Sequence, residues 1–184
     1  MNQRLHALVL AAALLLPGLA WARATPEQVT RQYFQAIQSQ GFAVAPRYIH
    51  PQEQARFKAM LLPLFELKEA GPNLSKALFG QAKTVAEIQV MEPQAFMESV
   101  LKVMGAHMRQ AQMELGEMAI IGTVKEGAIV HVVVRASTGN ADTRVTRMSV
   151  VSLMPEGDGW KLMLTGSMEG LAQAFKARLG PKAR

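Results

Sequence analysis

Apolar residues recur at steps of three and four through the first part of the chain, and from about Gln112 they recur at steps of two. The change of period separates a helical part from a stranded part. Val29, Tyr33, Phe34 and Ile37 mark the first helix: Thr25 caps it, Pro26 suits its first position, Gln28 completes a capping box and Gly41 stops it. Phe42 to Ile49 reads as a short second element. Pro51 opens a helix through Phe57, Leu61 and Phe65, and Pro63 is expected to bend or divide it, because proline lacks an amide donor and crowds the preceding turn. Gly71-Pro72-Asn73 reads as a turn before a short helical segment from Leu74 to Phe79, closed by Gly80. Val85, Ile88 and Met91 suit one or two turns. Glu92-Pro93 then begins a helix with the stripe Phe96, Val100, Leu101, Met104 and Met108, ending near His107 to Gln110.

The alternating part contains four β runs: one around Met118, Ile120 and Val124, then Ala128 to Ser137, Arg144 to Met154, and Trp160 to Thr165. Short loops rich in turn residues join them, which makes neighbouring strands antiparallel. Trp160 shares parity with Leu162 and Leu164, so alternation sends it to the face that meets the helices. Met168 to Leu179 is amphipathic and ends at Gly180-Pro181, as a short C-terminal helix would. The pattern therefore predicts an α+β domain, with N-terminal helices packed on a curved four-stranded antiparallel meander.

Arg4, the uncharged run from Leu8 to Leu16, the break at Pro17-Gly18 and the small residues Ala20, Ala22 and Ala24 form a signal-peptide pattern. The run falls short of the roughly 20 residues that cross a bilayer. Cleavage after Ala24 is expected, leaving residues 25–184 as one domain in the periplasm or outside the cell, without a stable membrane anchor. Removing residues 1–24 takes away Arg4 and Arg23 and no acid, so the net charge of +6 falls to +4. That mild charge is spread along the chain, and aromatic residues make up 6% of it, which does not describe a nucleic-acid surface.

The absence of cysteine excludes thiolate metal sites, thiol catalysis and disulfides. The 12 methionines are dispersed in apolar patterns rather than gathered in repeated pairs, so they read as core filler and not as a copper site. Neither a metal nor a cofactor is expected. Phosphate-loop, dinucleotide, zinc-protease and serine-hydrolase motifs are missing.

The opening Thr25-Pro26-Glu27-Gln28-Val29 through Tyr33-Phe34-Gln35-Ala36-Ile37, the interval to Phe42 and Tyr48-Ile49-His50-Pro51, and the closing Asp158-Gly159-Trp160-Lys161-Leu162 carry a resemblance. The chain resembles the nuclear transport factor two-like superfamily of cone-shaped α+β domains, as an exported bacterial member. That resemblance implies either a small binding module or an isomerase or cyclase with a polar catalytic residue inside the cone. Such enzymes look alike in holding an Asp, or an Asp with His or Tyr, among apolar walls. Here Asp142 and Asp158 fall in turns.

His131 interrupts an apolar strand and shares parity with Ile129, Val133 and Arg135. It reads more readily as a half-exposed or cross-strand-bonded histidine than as a base. If Arg144 or Arg147 lies opposite Arg135, that face is cationic. Tyr33 and Tyr48 could line the cone, and His50 most simply caps the helix that Pro51 opens. Candidate ligand-binding residues are thus Tyr33, Tyr48, His131 and Arg135, with no catalytic residue assigned. The expected function is an exported non-enzymatic binding or interaction module for a small apolar or anionic ligand or an envelope protein. An inhibitor or immunity-type protein belongs to that class, and an isomerase or cyclase is the alternative. Apolar residues on both parities of Ala128 to Ala136 also suggest covered faces and a homodimer.

Overall fold

The computed structural model describes residues 23–68, 70–140 and 142–164, together with Gly170 and Gln173. Five helices, α1 (Pro26–Gln40), α2 (Pro51–Phe65), α3 (Ala70–Phe79), α4 (Val85–Val90) and α5 (Pro93–Gln110), precede four strands. A 3-10 segment, Phe42–Tyr48, links α1 to α2. The strands are β1 (Glu114–Glu126), β2 (Ile129–Gly139), β3 (Arg144–Glu156) and β4 (Gly159–Leu162), and they pair antiparallel in sequence order. The expected α+β architecture is present, and the sheet is open. The expected signal peptide lies outside the described residues, and so does nearly all of the expected helix from Met168 to Leu179.

Local chemistry sets the element ends. Thr25 Oγ1 accepts from the Gln28 amide while Gln28 Oε1 accepts from the Thr25 amide, which is the capping box that the sequence predicts. Thr84 and Glu87 build a second box at α4. His50 caps α2 by accepting from the Gln52 amide on Nδ1 at 3.2 Å. That bond fixes the hydrogen on Nε2, which meets Glu156 Oε2 at 2.8 Å. Buried Lys58 donates to the carbonyls of Gln89 and Met91, satisfying the C-terminal end of α4.

Two helical expectations are corrected. Pro63 does not divide α2, which continues to Phe65; the proline stands in the last turn, where few bonds remain to be lost. Gly71-Pro72-Asn73 is not a turn but the opening of α3. Pro72 is tolerated there because first-turn amides need no helical acceptor. Gly71 is needed for space, since a Cβ at that position would run into the carbonyl of Phe65.

The helices cover one sheet face. Val132, Val134 and Leu153 are fully enclosed beneath them, and Phe57, Phe65, Phe79 and Phe96 form the aromatic centre of the helical layer. Trp160 and Leu164 are half-buried against the same core, on the face that their parity predicts. Thr123 donates to Glu27 Oε1 at 2.7 Å, and Gln38 Nε2 donates to the Gly116 carbonyl at 2.6 Å. These bonds tie the start of α1 to late β1 and its end to early β1, so the helix runs antiparallel to the strand. Register shifts between Leu115 and Met118 and between Ile120 and Gly122 bend β1.

Candidate functional site

A cleft of about 430 Å³ opens where α1, the 3-10 segment, α5 and the end of β4 meet the edge of β3. Phe34, Phe42, Leu101, Met104 and Leu162 make most of its wall apolar. Tyr33 and Ser149 contribute side-chain hydroxyls. The register puts Ser149 opposite buried Val134, so its side chain lies on the helix side of the sheet. Volume and lining match those of small-molecule sites, in which apolar walls carry a few polar groups.

Tyr33 reaches the cleft from the middle of α1, where helical spacing turns it to the side of Ile37. Its ring meets Phe34 at 5.5 Å and Tyr48 at 5.9 Å, both edge-on. Its hydroxyl has no hydrogen-bond partner among the described residues, and no enclosed side-chain polar atom there lacks one, so the hydroxyl is reachable from the cleft. Burial pushes the phenol up from its ordinary 10.0 to about 12, because the surrounding protein disfavours the phenolate. Tyr33 is therefore a neutral hydroxyl at ordinary pH, able to donate and to accept. Tyr48 stands behind it and braces the ring without lining the cleft.

The structure separates the other two candidates from these. His131 and Arg135 alternate with Val130, Val132 and Val134, and so project from the face that the helices leave uncovered. The residue opposite Arg135 is Met148, while Arg147 lies opposite Ala136 on the other face and Arg144 opposite Gly139. The anticipated arginine pair across from Arg135 is therefore absent, because register fixes which residues meet. Arg144 instead lines a polar recess with Arg109, Asn140 and Glu114.

His131 has partners that sequence reasoning missed. Its Nδ1 lies 2.9 Å from Ser152 Oγ and its Nε2 lies 3.0 Å from Glu126 Oε2. The order Ser, His, carboxylate invites comparison with a nucleophile and its base. Its surroundings differ from such a site: Glu126 is 79% exposed, the trio lies on an open sheet face, and the nearby strand amides are engaged in ladders. The signal for Ser152 was its strand register, and for Glu126 the tight turn that sets it opposite Ile129.

Among the described residues no group of three His, Asp or Glu side chains could hold a metal ion, and no helix is long and apolar enough to cross a membrane. Comparison with protein-family models, with curated proteins and with solved structures finds no match.

Proposed function

We propose that the protein is an exported, non-enzymatic binding module of the nuclear transport factor two-like kind, and that its cleft takes a small apolar ligand with one polar end. The carrying observation is the cleft of about 430 Å³ with the Tyr33 hydroxyl, which has no hydrogen-bond partner among the described residues, set in an apolar wall. An apolar ligand body gains by leaving water at roughly 25 cal/mol per Å² of buried surface. The Tyr33 and Ser149 hydroxyls offer its polar end hydrogen bonds. An isomerase or cyclase would need an acid or base in the same space. Among the described residues, neither a carboxylate nor an imidazole lines it, and His131 lies on the far side of the sheet.

The test is titration of the protein with an apolar environment-sensitive naphthylamine dye, alongside Ser149→Phe. Ser149 is exposed, so the larger side chain fills the cleft without entering the core. Saturable fluorescence enhancement in the wild type and its loss in Ser149→Phe are expected. Equal enhancement in both proteins would place the dye elsewhere and defeat the proposal.

A further inference from the structure

β3 runs well past β4. Their pairing covers Leu153 to Glu156, and among the described residues the last bond along that side is from the Met163 amide to the Ser152 carbonyl, at 2.8 Å. Ser152 thus directs its carbonyl away from β2. Antiparallel alternation makes Val150, Met148 and Thr146 do the same with their amides and carbonyls. Among the described residues none of these groups has a backbone partner. The strand is also exposed here: Met148 is 64% and Val150 51% accessible. A long exposed apolar edge is a template for another strand, and natural sheets usually blunt such edges.

The edge opens onto the cleft, since Ser149, Val150 and Val151 are consecutive and all line it. Side chains of an added strand would alternate like those of β3. A residue opposite Ser149 would point to the helix side and into the apolar cleft. One opposite Arg147, two positions along, would share that face and meet a guanidinium.

From these features we propose that the β3 edge from Thr146 to Val150 captures an extended peptide segment of another protein by strand addition, with an apolar side chain in the cleft and a carboxylate two residues away against Arg147. The proposal rests on the binding-module reading of the cleft and names the ligand class. Charge selects the occupant. Along β3 the chain carries Arg144 and Arg147 and no acid before Glu156. A second copy would set arginine edge against arginine edge, whereas an acidic segment is complementary. The protein's own residues 165–168, Thr-Gly-Ser-Met, carry no acid that could meet Arg147.

The experiment measures fluorescence anisotropy of a short labelled Ser/Thr peptide that bears Phe and Glu two positions apart. Its control is N-methylated at the residues flanking Phe, the ones whose amides would face Val150 and Met148. The full chain, Arg147→Glu and Ser149→Phe are compared, with circular dichroism verifying each fold and the naphthylamine dye run in parallel. Saturable binding of the peptide is expected, weakened about tenfold or more by N-methylation and by Arg147→Glu, as loss of one charge-assisted or two main-chain bonds implies. Equal binding of the methylated peptide overturns strand addition. Dye binding without peptide binding overturns this proposal and leaves the cleft reading standing, while failure of both overturns both. A dimer that Thr146→Pro, which removes an outward-facing amide and no bond to β2, converts to monomer would give the edge to a second copy and overturn the peptide assignment.

Discussion

Tyr33 and Tyr48 meet edge to face at 5.9 Å with their rings inclined by 67°, and Tyr33 but not Tyr48 reaches the cleft. One tyrosine supplies the hydroxyl and the other holds it in place. Edge-to-face ring pairs contribute about 0.5–1.5 kcal/mol beyond their burial. Tyr48→Ala is expected to loosen the Tyr33 ring and weaken dye binding, whereas Tyr48→Phe keeps the ring contact and should bind as the wild type does. Loss of binding in Tyr48→Phe would mean that the Tyr48 hydroxyl, and not its ring, is what matters.

The phenol of Tyr33 provides a second test. Its proton is held to about 12 in the folded chain against an ordinary 10.0, so the folded state binds the proton where the unfolded state has released it. Stability that is constant below about pH 10 should therefore fall as pH rises from about 10 to about 12. Ultraviolet titration of wild type minus Tyr33→Phe should show the tyrosinate step near 12. A step near 10 would put Tyr33 in water rather than in an apolar wall.

At the acid end the sign reverses. The Thr123 hydroxyl bonded to Glu27 is the main cause that holds its carboxyl below the ordinary 4.5. The folded state releases this proton more readily, so the associated stability is present above about 4.5 and is lost as pH falls through the depressed value. Thr123→Val should remove a few tenths to about 1 kcal/mol at neutral pH, given the exposure of the pair. Denaturant midpoints of the two proteins should converge in acid. Midpoints that stay equally far apart at low pH would assign the loss to packing.

Trp160 is half-buried against the core where β4 joins the sheet. Trp160→Ala should cost about 2–3 kcal/mol, below the range of about 3–5 for fully enclosed aromatic sites. Thermal unfolding checks this. A wild-type melting temperature combined with lost dye binding would move Trp160 from the scaffold to the ligand surface.

Element ends were readable wherever a local side chain sets them: Thr25 with Gln28 begins α1, and His50 before Pro51 begins α2. Gly71 misled because glycine serves both turns and close contacts, and the contact with Phe65 is visible only once α2 and α3 are packed together. The helix-facing parity of Trp160 was readable, since alternation needs no knowledge of partners. The cleft was not. Phe42, Leu101 and Leu162 come from separate elements and follow the same apolar spacing as residues of the solid core. Ser149 carries no signal beyond being polar at a position that shares parity with Val151 and Leu153. His131 was readable as a strand histidine, but its bonds to Ser152 and Glu126 depend on register.

Methyl NMR of the protein labelled at methionine methyls, titrated with a medium-chain alcohol, tests the cleft most directly. Met104 and Met163 line it, Met97 is enclosed in the core, and Met148 is exposed on β3, opposite Arg135. Saturable shifts of Met104 and Met163 are expected while Met97 and Met148 stay in place. Shifts confined to Met148, with Met104 and Met163 unmoved, would contradict the cleft reading.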